Sequence, residues 1–188
     1  MENAGGSQVP GCVVEGCKDA LATRWRMELG KRHVARAREV CAALLNALDP
    51  ASVVLGSSAS ALLRAVADAT SRTLLPGDEV VVCEWSHEAS IAPWLHAAAS
   101  ANATVKWWRL DSTTGEAPTD LSGLEALLSP RTRVVALSHV SNILGSVNDV
   151  AGATALARRL SPAASVAVDG VAFVPHMCPD VQAIGCDW

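Results

Sequence analysis

Four short polar clusters carry most of the side chains that could do chemistry: Gly56-Ser57-Ser58-Ala59-Ser60, Ser86-His87-Glu88, Ser138-His139-Val140-Ser141-Asn142 and Asp169-Gly170. The first combines small hydroxyls with a helix start. Free backbone N–H groups there suit a phosphate, although the same residues also make an ordinary turn. Asp169 closes the apolar run Val166-Ala167-Val168. A carboxylate in that place is either a cap for the next turn or a buried charge with a partner. His87, His139 and Asn142 are either loop residues with local hydrogen bonds or groups of a pocket. Together with His176 and Asp169 the histidines could be asked to hold a metal, but no pair has a ligand spacing such as His-x-x-x-His, so the reading is no metal. No Gly-Lys-Ser/Thr follows the glycine-serine loop, and no G-x-G-x-x-G occurs. Both nucleotide fingerprints are therefore missing.

These clusters need elements to hold them. Arg24 to Leu48 has apolar residues at helical spacing (Val34, Ala37, Val40, Cys41, Leu44, Leu45, Leu48) until Asp49-Pro50 stops it. Beyond that point strands and helices alternate. Strands are expected over Ser52–Leu55, Glu79–Cys83, Thr104–Leu110, Arg133–Leu137 and Ser165–Val168. Helices are expected over Ser58–Ser71, Ser90–Ala101, Leu121–Leu128, with Asp120 as N-cap, and Val150–Leu160. Strands separated by helices of this length indicate right-handed crossovers and a mainly parallel sheet. The all-apolar runs Val80-Val81-Val82 and Val134-Val135-Ala136 suit a sheet covered on both faces. The class is α/β, with a helical arm over residues 1–50 and a sheet domain over 51–188. Each polar cluster then follows a strand, at the carboxyl edge where open parallel sheets collect ligands.

Composition narrows the partners. Lys plus Arg is 15 and Asp plus Glu is 19, which leaves no basic excess for a phosphate backbone and argues against nucleic acid. The longest uncharged run, Ala89–Val105, is broken by Pro93, His96, Ser100 and Asn102, so no membrane partner is read. Six cysteines without a C-x-x-C pair read as reduced thiols of a cytoplasmic protein. Met-Glu-Asn-Ala-Gly-Gly has neither the basic start nor the apolar stretch of a signal peptide.

Taken in order, several segments resemble the class V aminotransferase superfamily of pyridoxal-phosphate enzymes, in its cysteine desulfurase-like branch. They are Asn3-Ala-Gly-Gly-Ser-Gln-Val-Pro10, Leu55-Gly-Ser-Ser58, Pro76-Gly-Asp-Glu79, His87-Glu-Ala-Ser-Ile-Ala-Pro-Trp94, Ser129-Pro-Arg-Thr-Arg133, Ser138-His-Val-Ser-Asn-Ile-Leu-Gly145, Val168-Asp-Gly170 and Val174-Pro-His-Met-Cys-Pro-Asp-Val-Gln182. The resemblance implies the large domain of fold type I, a three-layer structure. It implies pyridoxal 5'-phosphate as cofactor, an amino acid as substrate, and a homodimer in the complete enzyme. Ser57 and Ser58, beside Gly56 and nearby amides, would hold the cofactor phosphate. His87 would stack on the pyridine ring. Asn142 would bond near the ring oxygen or the substrate carboxylate. Asp169 would pair with the protonated ring nitrogen, and His139 would bond Asp169 or line the pocket. His176 would belong to structure after the last strand.

Two departures qualify the resemblance. Desulfurases commonly read Asp-Gly-Ala-Gln after this strand, whereas here Ala172 stands where the glutamine would be. Such enzymes also use a Schiff-base lysine, which the resemblance puts beyond Trp188. The lysines present are Lys18, Lys31 and Lys106, each read as a solvated side chain, so no residue of this chain is assigned as catalytic. None of the six cysteines is given the persulfide role. The expectation is a fragment holding the arm and most of the large domain, without the C-terminal small domain and inactive alone. It would show exposed apolar surface and an unpaired sheet edge, and so a tendency to aggregate. The alternative is a non-catalytic derivative that acts as a binding or dimerisation partner.

Overall fold

The computed structural model describes residues 8–23 and 27–188. Two helices come first, α1 (Gly11–Ala22) and α2 (Met27–Leu45). The start expected at Arg24 lies outside the described residues; α2 is described from Met27, and α1 precedes it. A single 3-10 turn, Pro50–Ser52, follows, capped by Asp49, whose Oδ1 accepts the Ala51 N–H at 2.8 Å. Then come α3 (Ala59–Ser71), β1 (Glu79–Cys83), α4 (Glu88–Ala101), β2 (Thr104–Trp108), α5 (Ser122–Leu127), β3 (Thr132–Ser138), α6 (Val150–Leu160), β4 (Ser165–Asp169) and the one-turn α7 (Val181–Ile184). Among the described residues, no helix is long and apolar enough to cross a membrane.

The strand expected at Ser52–Leu55 is absent. Val53 is extended (φ −80°, ψ 116°), but among the described residues no strand lies beside it, and Val54 and Leu55 face solvent. An apolar run makes a strand only where a ladder partner takes its N–H and C=O groups. The second deviation is smaller. Asp120 does not cap α5; its carboxylate accepts the Ser122 N–H and hydroxyl instead, at 2.9 and 2.6 Å.

The four strands form one parallel sheet in the order β2-β1-β3-β4. Side chains of β1 alternate between two cores. Val80 and Val82 pack with Trp94, Ala97 and Ala98 of α4 and Ala67 of α3. Val81 and Cys83 pack with Trp85, Trp108, Leu124 of α5, and Val150 and Ala153 of α6. The sheet is thus sandwiched between α3 and α4 on one face and α5 and α6 on the other. Burial on both faces explains why β1 and β3 read as unbroken apolar runs. Beyond β4, the Val168 N–H donates to Trp188 O and the Trp188 N–H to Val166 O, the pattern of a parallel bridge centred on Ala167.

The amino edge of the sheet is held by charge. Glu79, at the start of β1, is buried and accepts from Lys106 Nζ (2.8 Å), Ser129 Oγ (2.6 Å), Arg131 Nη2 (3.2 Å) and Thr132 Oγ1 (3.3 Å). Lys106 also donates to Leu127 O at 2.8 Å. It is therefore not the solvated lysine expected. A strand-borne side chain beside a buried carboxylate is drawn inward, because ion pairing and hydrogen bonds there offset lost hydration.

Candidate functional site

At the opposite, carboxyl edge, the segments following β1, β3 and β4 converge with the first turn of α3 on a small cleft of about 130 Å³. His87, Asn142, Asp169 and Ala172 line it, together with Ala59 and Ser60 of α3. Leu63, Val140 and Val171 make its apolar walls. Gly56, Ser57, Ser58 and His139 do not line it.

Each side chain is set by local structure. Ser58 is the N-cap of α3, its Oγ accepting the Ala61 N–H at 3.1 Å. The next two amides, of Ala59 and Ser60, have no acceptor among the described residues, as at the start of any α-helix. Both residues border the cleft, one step later in the chain than Ser57 and Ser58. Gly56 has a packing reason of its own: a Cβ there would lie 2.7 Å from Leu62 Cγ.

His87 caps α4. Its Nδ1 accepts the Ala89 N–H at 3.0 Å, which leaves the neutral ring's proton on Nε2. Asp169 ends β4. Its Oδ1 accepts the Val171 N–H at 2.9 Å, so it does serve as a turn cap. Among the described residues no cation pairs with it, and its side chain still borders the cleft. Asn142 sits on a tight hairpin closed by the antiparallel bridge Val140–Val147, with Gly145 at φ +70° where a side chain would be strained.

His139 takes another role. Its ring stacks on Phe173 with centroids 3.6 Å apart and planes 8° from parallel. Only its backbone N–H reaches Asp169, donating to the carbonyl oxygen at 2.8 Å. Burial lowers the imidazole's pKa below its ordinary value, which favours the neutral ring against Phe173. His176 lies exposed in the turns after β4.

Sequence reasoning placed Ser60, Ser138 and Val140 in its polar clusters without assigning them to a pocket, and missed Leu63, Ala89 and Val171 as cleft residues. For Ser60 a signal existed: once Ser58 is assigned as N-cap, the two following amides must be the free ones. A larger hollow, about 610 Å³, opens between α5 and α6 beside Leu121 and Leu156. It is wide, its Glu125 and Arg159 already pair with each other at 3.0 Å, and its Asp120 carboxylate is taken up by Ser122. The strand-end cleft is smaller but gathers a carboxylate, an imidazole, a carboxamide and helix-start amides, which makes it the candidate site.

None of the three lysines lines it. Lys18 pairs with Glu15 on α1, Lys31 with Glu28 on α2, and Lys106 with Glu79 at the far edge of the sheet. The six cysteines are free thiols. Cys83 is buried in the core, and that burial pushes its thiol up to about 11 despite hydrogen bonding to Ser86.

Comparison with known proteins agrees with this architecture. The family model described as aminotransferase class-V matches residues 1–188. An aminotransferase-like protein of Gibberella zeae is 36% identical over 200 residues, covering 100% of this chain and 48% of that protein. A cysteine desulfurase of Dickeya dadantii is 32% identical over 198 residues, covering 100% of this chain and 47% of its own length. The crystal structure of the Escherichia coli cysteine desulfurase CsdA superposes with a TM-score of 0.86 at 29% identity, covering 100% of this chain and 48% of that one. The chain thus spans about half the length of these relatives. Its three-layer sheet is that of fold type I cysteine desulfurases.

Proposed function

Since the chain belongs to the class-V aminotransferase family, we propose that its strand-end cleft holds pyridoxal 5'-phosphate for chemistry on an amino acid, in the manner of cysteine desulfurase-like enzymes. The observation that carries the proposal is a pairing of opposites. Among the described residues, a carboxylate with no cation partner, Asp169, and two N–H groups with no acceptor, of Ala59 and Ser60, belong to residues that line one cleft together with His87. A ligand with a basic heterocycle and a phosphate satisfies both ends, so the residues present fit the group.

When bound, the cofactor supplies an electron sink for bonds at the amino acid's reacting carbon. The chain's own groups do the rest. The amides of Ala59 and Ser60, at the positive end of α3, hold the phosphate, with the Ser60, Ser57 and Ser58 hydroxyls nearby. The Asp169 carboxylate keeps a proton on the ring nitrogen, because a negative charge beside that nitrogen favours its charged form. The Val171 N–H fixes the carboxylate in place. His87, anchored through Nδ1, offers the face of its ring. Asn142 offers a carboxamide for the ring oxygen or the substrate carboxylate. Ala172 offers no hydrogen bond where desulfurases commonly have glutamine, and this directs the reading towards a branch of the superfamily other than strict desulfurases.

None of the three lysines lines the cleft, and these 188 residues alone are expected to bind cofactor without turnover. Titration with pyridoxal phosphate, followed by visible circular dichroism, should saturate for the wild type and weaken at least roughly tenfold for Asp169→Asn. Borohydride should trap no cofactor on Lys18, Lys31 or Lys106. Absence of any induced dichroism, or trapping on a lysine, contradicts the proposal.

A second reading, association with another subunit, has an observation of its own. Among the described residues α1 buries nothing and α2 buries only Ala42, while Val13, Val14, Leu21, Val34, Val40 and Leu44 face solvent. Apolar surface of this extent suits a subunit interface, as in a homodimer of a cytoplasmic enzyme. Recovery of a stoichiometric complex with a full-length relative in a pull-down supports it, and aggregated monomer alone counts against it.

A further inference from the structure

Beside the cleft lies a buried polar network, of which Ser138 alone lines the cleft itself. Asn148 is 7% exposed, Trp85 4%, Ser138 3% and Ser141 2%. The Trp85 indole Nε1–H donates to Asn148 Oδ1 at 3.1 Å. Asn148 Nδ2 donates to Ser138 O at 2.6 Å. The Asn148 backbone N–H donates to His139 O at 2.9 Å. Ser141 Oγ donates to Trp85 O at 2.8 Å, and the Ser138 N–H donates to Ser86 Oγ at 3.1 Å. Every polar side-chain atom of Asn148 that faces a neighbour is therefore used.

The network joins the segments that carry the cleft residues. Trp85 and Ser86 lead directly into His87. Ser138 is itself a wall of the cleft. Ser141 precedes Asn142. The hairpin tip, residues 142–145, is exposed, so its place is set at its base, where Ser141 and Asn148 are tied to Trp85.

We propose that Asn148 is a positioning residue of the cofactor cleft, acting through Trp85 and Ser138 to hold His87 and Asn142 in register. This rests on the reading of the cleft as a pyridoxal-phosphate site. The chemistry requires a carboxamide. One planar group must accept from an indole and donate to a carbonyl at the same point, and asparagine does both. Leucine of similar volume leaves the Trp85 N–H and the Ser138 carbonyl buried without partners, which is more costly than losing one bond. A carboxylic acid matches the carboxamide only while protonated. Once ionised it has no donor and turns an oxygen towards the Ser138 carbonyl.

The test compares Asn148→Asp and Asn148→Leu with wild type in the full chain, from about pH 5.5 to about pH 8, a window in which a buried carboxyl with a raised pKa titrates. Two readouts are taken: affinity for pyridoxal phosphate relative to wild type at each pH, and amide hydrogen exchange without cofactor. Asn148→Asp should bind within about threefold of wild type at the acid end and at least roughly tenfold more weakly at the alkaline end, while Asn148→Leu is weak throughout. Exchange at Ser141, Gly145 and Asn148 should quicken in the weak states, while Val81 and Val135 of the central strands stay protected. If wild type binds no cofactor, the functional reading fails, and exchange alone decides the positioning role. Wild-type behaviour of Asn148→Asp at every pH in both readouts overturns the proposal, as does weakening that never recovers at the acid end. Loss of Val81 and Val135 protection in Asn148→Leu leaves the acid recovery of Asn148→Asp as the deciding result.

Discussion

Replacing Glu79 by glutamine tests the account of how the sheet's amino edge is held. Burial pushes the Glu79 carboxyl upward, but the hydrogen bond from Lys106, then that from Ser129, then the Lys106 charge and Thr132 outweigh it. The group ends well below its ordinary 4.5, at about 2. The side chain is 4% exposed, so solvent screens little of this. A fall of that size corresponds to on the order of 3 kcal/mol of folding stability at neutral pH. The sign follows from proton counting. Between pH 4.5 and about 2 the unfolded chain binds the proton and the folded chain does not. The contribution is therefore complete above the unfolded value and is lost as pH falls through that window. Glu79→Gln should lower the melting temperature by roughly 6–12 °C at neutral pH for a chain of this length. By calorimetry or far-UV dichroism, the gap between variant and wild type should narrow steadily as pH drops below about 4.5. A variant melting within about 2 °C of wild type at neutral pH, or a gap unchanged on acidification, refutes the reasoning.

Two smaller predictions use the same physics. Alkylation of the native chain at about pH 8 should label the exposed Cys12, Cys17 and Cys178 and spare Cys83, whose thiol is buried and titrates near 11. Mass spectrometry showing early Cys83 labelling would contradict the core as described. Gly152→Ala in α6 should bring none of the roughly 1 kcal/mol that alanine normally adds to a helix. The added methyl meets the Asp149 carboxylate that caps the helix through the Gly152 N–H. A clear rise in denaturant midpoint would show that the cap contributes little.

The sequence was most legible where one residue's surroundings are set nearby. Val80-Val81-Val82 reads as a doubly covered strand because both faces of β1 are buried. Val53-Val54-Leu55 looks just as strand-like, yet its pairing depends on a neighbour that local pattern does not reveal. Lys106 looked like surface because its partner Glu79 is 27 positions away. The four residues of α7 escaped notice because one helical turn shows no period, although Asp180 caps it through the Ala183 N–H. In the cleft, His87, Asn142 and Asp169 could be picked out as polar residues closing strands or loops. Ser57 and Ser58 lie just outside the cleft lining, since the Ser58 hydroxyl caps α3 and the lining begins at Ala59 and Ser60. His139 read as a pocket group because stacking on Phe173, 34 residues on, is a tertiary fact.

The most direct test of the central claim is a structure of the chain with pyridoxal phosphate bound. The proposal expects the ring nitrogen within hydrogen-bond distance of the Asp169 carboxylate and the phosphate on the Ala59 and Ser60 amides. A ring nitrogen facing any other group, or a phosphate bound away from the first turn of α3, would contradict it.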